Sequence, residues 1–73
     1  MQCAICGAAA ENVTPGGFDG LVIRCEHCET YEIAGSAENG LLRLQLPERA
    51  AALEKAKRFA APGSRPCITT HCL

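Results

Sequence analysis

Cys3-Ala4-Ile5-Cys6 and Cys25-Glu26-His27-Cys28 set two thiols two residues apart, twice, with the eighteen residues Gly7–Arg24 between the pairs. A two-residue gap lets both sulfurs of a pair face one ion, and this separation lies within the range that reads as a zinc site. Zinc takes four thiolates tetrahedrally at about 2.3 Å, in a shell that is closed when the protein supplies every ligand. Cys3, Cys6, Cys25 and Cys28 fill that shell and leave no position for a water nucleophile, so metal-assisted hydrolysis is not expected and the chain is not read as an enzyme. The expected cofactor is one structural Zn2+, whose binding at such sites is worth on the order of 10–16 kcal/mol, comparable to the whole stability of a domain. Four thiolates around a dication leave a net double negative charge, which knuckle N–H groups and Arg24 are expected to offset.

Other chemistries fit these residues less well. Iron held by four thiolates, as in a small electron carrier, is the nearest rival, because the spacing does not choose the metal. Proteins of the rubredoxin kind are rich in core aromatics, whereas this chain has Phe18, Tyr31 and Phe59 and no tryptophan. Dithiol redox chemistry needs a Cys-x-x-Cys at a helix N-terminus within a βαβ pattern, and neither pair has that setting. His27 reads as a surface residue, since the cysteines flanking it already complete the tetrad. Cys67, His71 and Cys72 could offer a second ligand set or a nucleophile with a base. In a strand, however, Cys67 and His71 share one face and Cys72 takes the other, and a fourth ligand is missing.

The elements that must position the four cysteines follow from punctuation and periodicity. Thr14-Pro15-Gly16-Gly17 and Asp19-Gly20 mark a loop over 12–20. Residues 20–24 are apolar and β-branched and run into the second pair, while Tyr31 and Ile33 give the alternation of a half-buried strand leaving it. Each knuckle is thus expected at the end of a hairpin. Gly7 suits the positive φ that follows a metal knuckle, and Glu29 stands at the matching place in the second. Residues 47–60 read as a helix, with Pro47 in the first turn, Glu48 at the positive end, Lys57 and Arg58 at the other, and Pro62-Gly63 as the stop. Ala52, Leu53, Ala56, Phe59 and Ala60 form its apolar stripe, with Leu53 and Phe59 as expected anchors and Arg49 as an intruder. Residues 36–46 are ambiguous. Ser36 as a cap with Ala37, Leu41 and Leu44 on one face favours a helix, against an Asn39-Gly40 hairpin signal, and Gly40 inside it costs about 1 kcal/mol relative to alanine. Cys67 to Leu73 reads as a terminal strand or extended tail.

At 73 residues the chain reads as one domain (1–35 ribbon, 36–61 helical, 62–73 tail), small enough that a staple beyond its apolar core is expected. The absence of a signal-peptide pattern ahead of Cys3 leads to an expectation of a cytoplasmic location, where paired Cys-x-x-Cys binds metal more often than it forms disulfides. No apolar run approaches a membrane span. Charge is divided along the chain. Residues 1–40 carry Glu11, Asp19, Glu26, Glu29, Glu32 and Glu38 against Arg24, whereas residues 41–73 carry Arg43, Arg49, Lys55, Lys57, Arg58 and Arg65 against Glu48 and Glu54. That asymmetry means internal complementarity or a basic face kept for a partner. Lys55, Lys57, Arg58 and Arg65 are the candidate phosphate or partner contacts, but few aromatics accompany them for base stacking.

Cys3-x-x-Cys6-Gly7 and the run Cys25-x-x-Cys28-x-x-Tyr31-x-Ile33-x-Gly35 resemble the zinc-ribbon superfamily, in particular small ribbon modules of bacterial proteins. In those, a Tyr-x-Ile strand, a helical stretch and a Pro-x-Ile-Thr tail follow the second knuckle; the tail here is Pro66-Cys67-Ile68-Thr69. The resemblance implies a small α+β ribbon followed by one or two helices, a zinc-stabilised interaction module. It is shared by transcription factors, ribosomal proteins and enzyme appendages, and so does not choose the partner. Docking to a protein is the favoured function, nucleic-acid binding through the basic half the second, and an iron electron carrier the third; no small-molecule substrate is evident.

Overall fold

The computed structural model describes all residues 1–73. A four-stranded sheet of order β1-β2-β3-β4 carries two helices, an α+β architecture in which the first cysteine pair lies in a turn ahead of β1 and the second in the turn between β2 and β3. The strands are β1 (Ala10–Asn12), β2 (Gly20–Cys25), β3 (Glu29–Ala34) and β4 (Cys67–Ile68), and the helices are α1 (Gly35–Arg43) and α2 (Leu46–Phe59), with a 3-10 turn at Thr70–Cys72. β1, β2 and β3 are antiparallel neighbours; Ile23 pairs with Tyr31 and Cys25 with Glu29. β4 joins β3 in parallel, Ile33 opposite Ile68. A parallel partner needs a crossover, and the two helices supply it.

Alternation sorts the strands as expected. Tyr31 and Ile33 are buried on one face with Ile23, and α1 adds Ala37 and Leu41, α2 adds Ala52, Leu53 and Ala56, and the tail adds Ile68 and Cys72. Val22 points to the opposite face and is also buried. The loop before β2 lies along it there: Val13 N–H donates to the Val22 carbonyl, and Val22 N–H donates to Thr14 Oγ1. Only 14 of the 73 residues are buried, and Cys3 and Cys25 are among them. So thin a core is small for a chain that must hold one fold on apolar burial alone.

Residues 36–46 are helical for most of their length, and the hairpin signal at Asn39-Gly40 is overridden. Gly40 sits where the last residue crosses the helix: a Cβ there would stand 2.6 Å from Leu73 Cδ1. Close approach, and not a turn, is what this glycine serves. Ser36 is not the cap. The cap lies two residues earlier, at extended Ala34, with no side-chain bond, and Gly35 N–H donates to the Asp19 carbonyl. The second helix matches its expected span to within one residue at each end and keeps Pro47 in its first turn. Its stripe is shorter than periodicity implies. Ala52, Leu53 and Ala56 are buried, whereas Phe59, expected as an anchor, is 78% exposed. α2 packs against β4 and the 3-10 turn, and Phe59, its last residue, is left outside the core.

The tail is a short strand followed by a turn. Thr69 Oγ1 accepts from His71 N–H and starts the 3-10 turn, which breaks the strand alternation and turns Cys72 into the core while His71 stays exposed.

Candidate metal centre

The two knuckles converge. The Sγ atoms of Cys3, Cys6, Cys25 and Cys28 all lie within 4.8 Å of one another, with Cys6 to Cys25 at 3.6 Å and Cys3 to Cys28 at 3.9 Å. Those separations exclude disulfides, whose S–S bond is about 2.05 Å, and all six cysteines are free. A tetrahedron with metal–sulfur bonds of about 2.3 Å has edges of about 3.8 Å, so the four sulfurs fit a single ion. They can hold a metal ion.

Each knuckle is formed differently. Cys25-Glu26-His27-Cys28 is the turn of the β2–β3 hairpin, closed by the Cys25–Glu29 pair. Glu29 adopts φ +64° and so occupies the left-handed position that glycine would take at less cost. The first knuckle joins a short bridge, Gln2 opposite Ala9, with Cys3 N–H donating to the Ala8 carbonyl and Gly7 N–H to the Cys3 carbonyl. Gly7 has φ +79°, as its place after a knuckle requires. Ile5 anchors this turn in the core.

Two side chains buttress the first knuckle that sequence reasoning did not assign to it. Tyr31, fully buried, brings its hydroxyl 3.2 Å from Cys3 Sγ and accepts the Ala4 N–H at 3.2 Å. Arg49, the intruder on the α2 stripe, turns inward and donates to three carbonyls: Leu44 at 2.9 Å, Leu42 at 2.8 Å and Ala4 at 3.1 Å. Leu42 and Leu44 lie at the C-terminal end of α1, where carbonyls lack helical partners and a cation is favoured. One guanidinium therefore caps α1 and ties α2 to the knuckle. A polar residue on an otherwise apolar stripe was the available signal.

The electrostatics separate the four sulfurs. Burial works against a Cys3 thiolate, but the Tyr31 hydroxyl and the N–H groups of Cys6 and Ile5 outweigh it and hold the thiol at about 6. Cys28 moves the other way, raised by burial and then by the Cys6 and Cys3 sulfurs beside it. Four sulfurs this close cannot all ionise alone; a bound dication reverses that balance. Arg24, expected to share in the neutralisation, instead pairs with Glu11 at 2.7 Å on the surface.

The remaining candidates stay apart from the centre. His27 is exposed beside it. Cys67, His71 and Cys72 form no cluster; Cys67 is half-buried, its thiol raised by burial and then by Glu32, and Cys72 lies in the core against Thr69 Oγ1. Of the four basic residues, Lys57 pairs with Glu54 at 3.7 Å and Arg65 with Glu32 at 2.9 Å. Lys55 and Arg58 are exposed without an ion pair. A depression of about 600 Å³ is walled by residues 8–11 and 24–27, and its Arg24 and Glu11 satisfy each other. No helix is long and apolar enough to cross a membrane.

No family model matches the chain, and no match is found among curated proteins or solved structures.

Proposed function

We propose that Cys3, Cys6, Cys25 and Cys28 bind one zinc ion whose part is structural, and that the domain works by docking to a protein partner and performs no catalysis. The observation that carries this reading is the near-tetrahedral spacing of the four sulfurs, 3.6 and 3.9 Å across the knuckles. Zinc suits it because a closed thiolate shell offers stability without redox or hydrolytic chemistry. The thin core supports a structural part for the ion. Docking through the helices is supported by Leu42 and Phe59, 51% and 78% exposed on elements whose other faces are buried. Native mass spectrometry tests the ion, with one zinc per chain and loss of fold on chelation expected. A molecule that stays compact and well dispersed in NMR after exhaustive EDTA treatment would overturn it. A visible absorbance in the purified protein would point to iron instead.

Nucleic-acid binding is the second reading, favoured by Lys55 and Arg58 next to the exposed ring of Phe59, a pairing of cation and stacking surface. Internal pairing of Lys57 and Arg65 weakens it. Strong loss of partner affinity between about 50 and 200 mM salt would select this reading over the first.

A further inference from the structure

The single tyrosine of the chain does more than fill the core. Its oxygen accepts the Ala4 N–H, and its other hydrogen-bonding neighbour is Cys3 Sγ. A metal-bound cysteine carries no proton to give, so with an ion in place the hydrogen between Tyr31 and Cys3 belongs to the phenol. The ring is held by β3, paired on both sides, and fully buried. Resting on the reading of the four cysteines as a metal centre, we propose that the Tyr31 hydroxyl is a fixed hydrogen-bond donor to the metal-bound Cys3 thiolate, a positioning residue that tunes the ion as well as the fold. Cys3 then differs from its three companions, because it alone has a side-chain O–H directed at it. The hydrogen bond would draw charge from that sulfur, favour its thiolate form over the thiol and hold it in place for the ion. A hydrogen bond from such an outer group typically shifts metal affinity by 10–100-fold when removed.

The test uses cobalt(II) and 113Cd as probes. Wild type loaded with cobalt(II) is expected to give the intense visible bands of a tetrahedral thiolate site; their absence would overturn the metal reading itself. In Tyr31→Phe the sulfur-to-cobalt charge-transfer band is expected to move to longer wavelength, with affinity for the ion about tenfold weaker in chelator competition. An unchanged band in a variant that binds cobalt would overturn the role of Tyr31 and leave the metal reading standing. Should Tyr31→Phe fail to fold, 113Cd-loaded wild type decides. A slowly exchanging tyrosine hydroxyl proton coupled to cadmium through Cys3 Sγ is expected, and a hydroxyl without that coupling would sink the proposal.

Discussion

The two knuckles share a spacing and differ in what holds them. Cys25 to Cys28 is a hairpin turn, and its geometry follows from six-residue strands on either side that pair in register. Cys3 to Cys6 has one bridge of its own and depends on groups far along the chain: Tyr31 from β3 and Arg49 from α2 both reach Ala4, and Ile5 sinks into the shared core. One half of the metal centre is therefore local and the other tertiary. The contrast teaches that an ion bound here would join the sheet to the helical layer as well as one turn to another, because the first knuckle is already bound to both.

The largest expected effect removes the link itself. Cys6→Ser or Cys28→Ser should abolish cooperative folding whichever knuckle is hit, since either leaves three thiolates; a full native melting transition in such a variant would break the comparison at its root. Arg49→Met should cost about 3 kcal/mol, because three carbonyls lose a charged donor while the apolar stem is retained. Denaturant melts of the zinc-loaded protein measure it, and NMR should show the Ala4 and Ile5 amides moving while those of Glu26 and His27 hold still. Equal movement in both turns would erase the distinction. Next come the residues that close the turns, whose changes should have opposite signs. Gly7→Ala should lose about 1–2 kcal/mol at its positive φ, and Glu29→Gly should gain up to about 1 kcal/mol. Smallest are the groups that belong to neither knuckle. Phe59→Ala should change stability by less than about 0.5 kcal/mol, and Cys67→Ser should leave the zinc content at one per chain by mass spectrometry.

What could be read in advance follows the same division. The cluster of four cysteines was legible because each pair is set by a two-residue gap and the pairs by one loop. The second helix was legible to within a residue, since Pro47 and the breaker at Pro62-Gly63 act locally. Tyr31 showed as a buried strand residue but not as a neighbour of sulfur, for Cys3 is 28 positions away. Arg49 showed only as an irregularity in a stripe, because its carbonyls come from the end of α1 and from the first knuckle. Phe59 was misassigned for a related reason: a helical wheel states which residues share a face, and not how far the sheet beneath extends. Ser36 yielded to Ala34 because the β3–α1 junction is fixed by Gly35 meeting the Asp19 carbonyl.

The β2–β3 hairpin carries a consequence for the order of assembly. A hairpin of this kind closes in about 1–10 μs without help from distant segments, so Cys25 and Cys28 stand side by side early and form a two-toothed claw. The first pair has part of its support from Arg49, which reaches Ala4 only when α2 lies in place. An ion bound by the four sulfurs would therefore rest on one turn that the hairpin sets by itself and one that the far end of the chain must support.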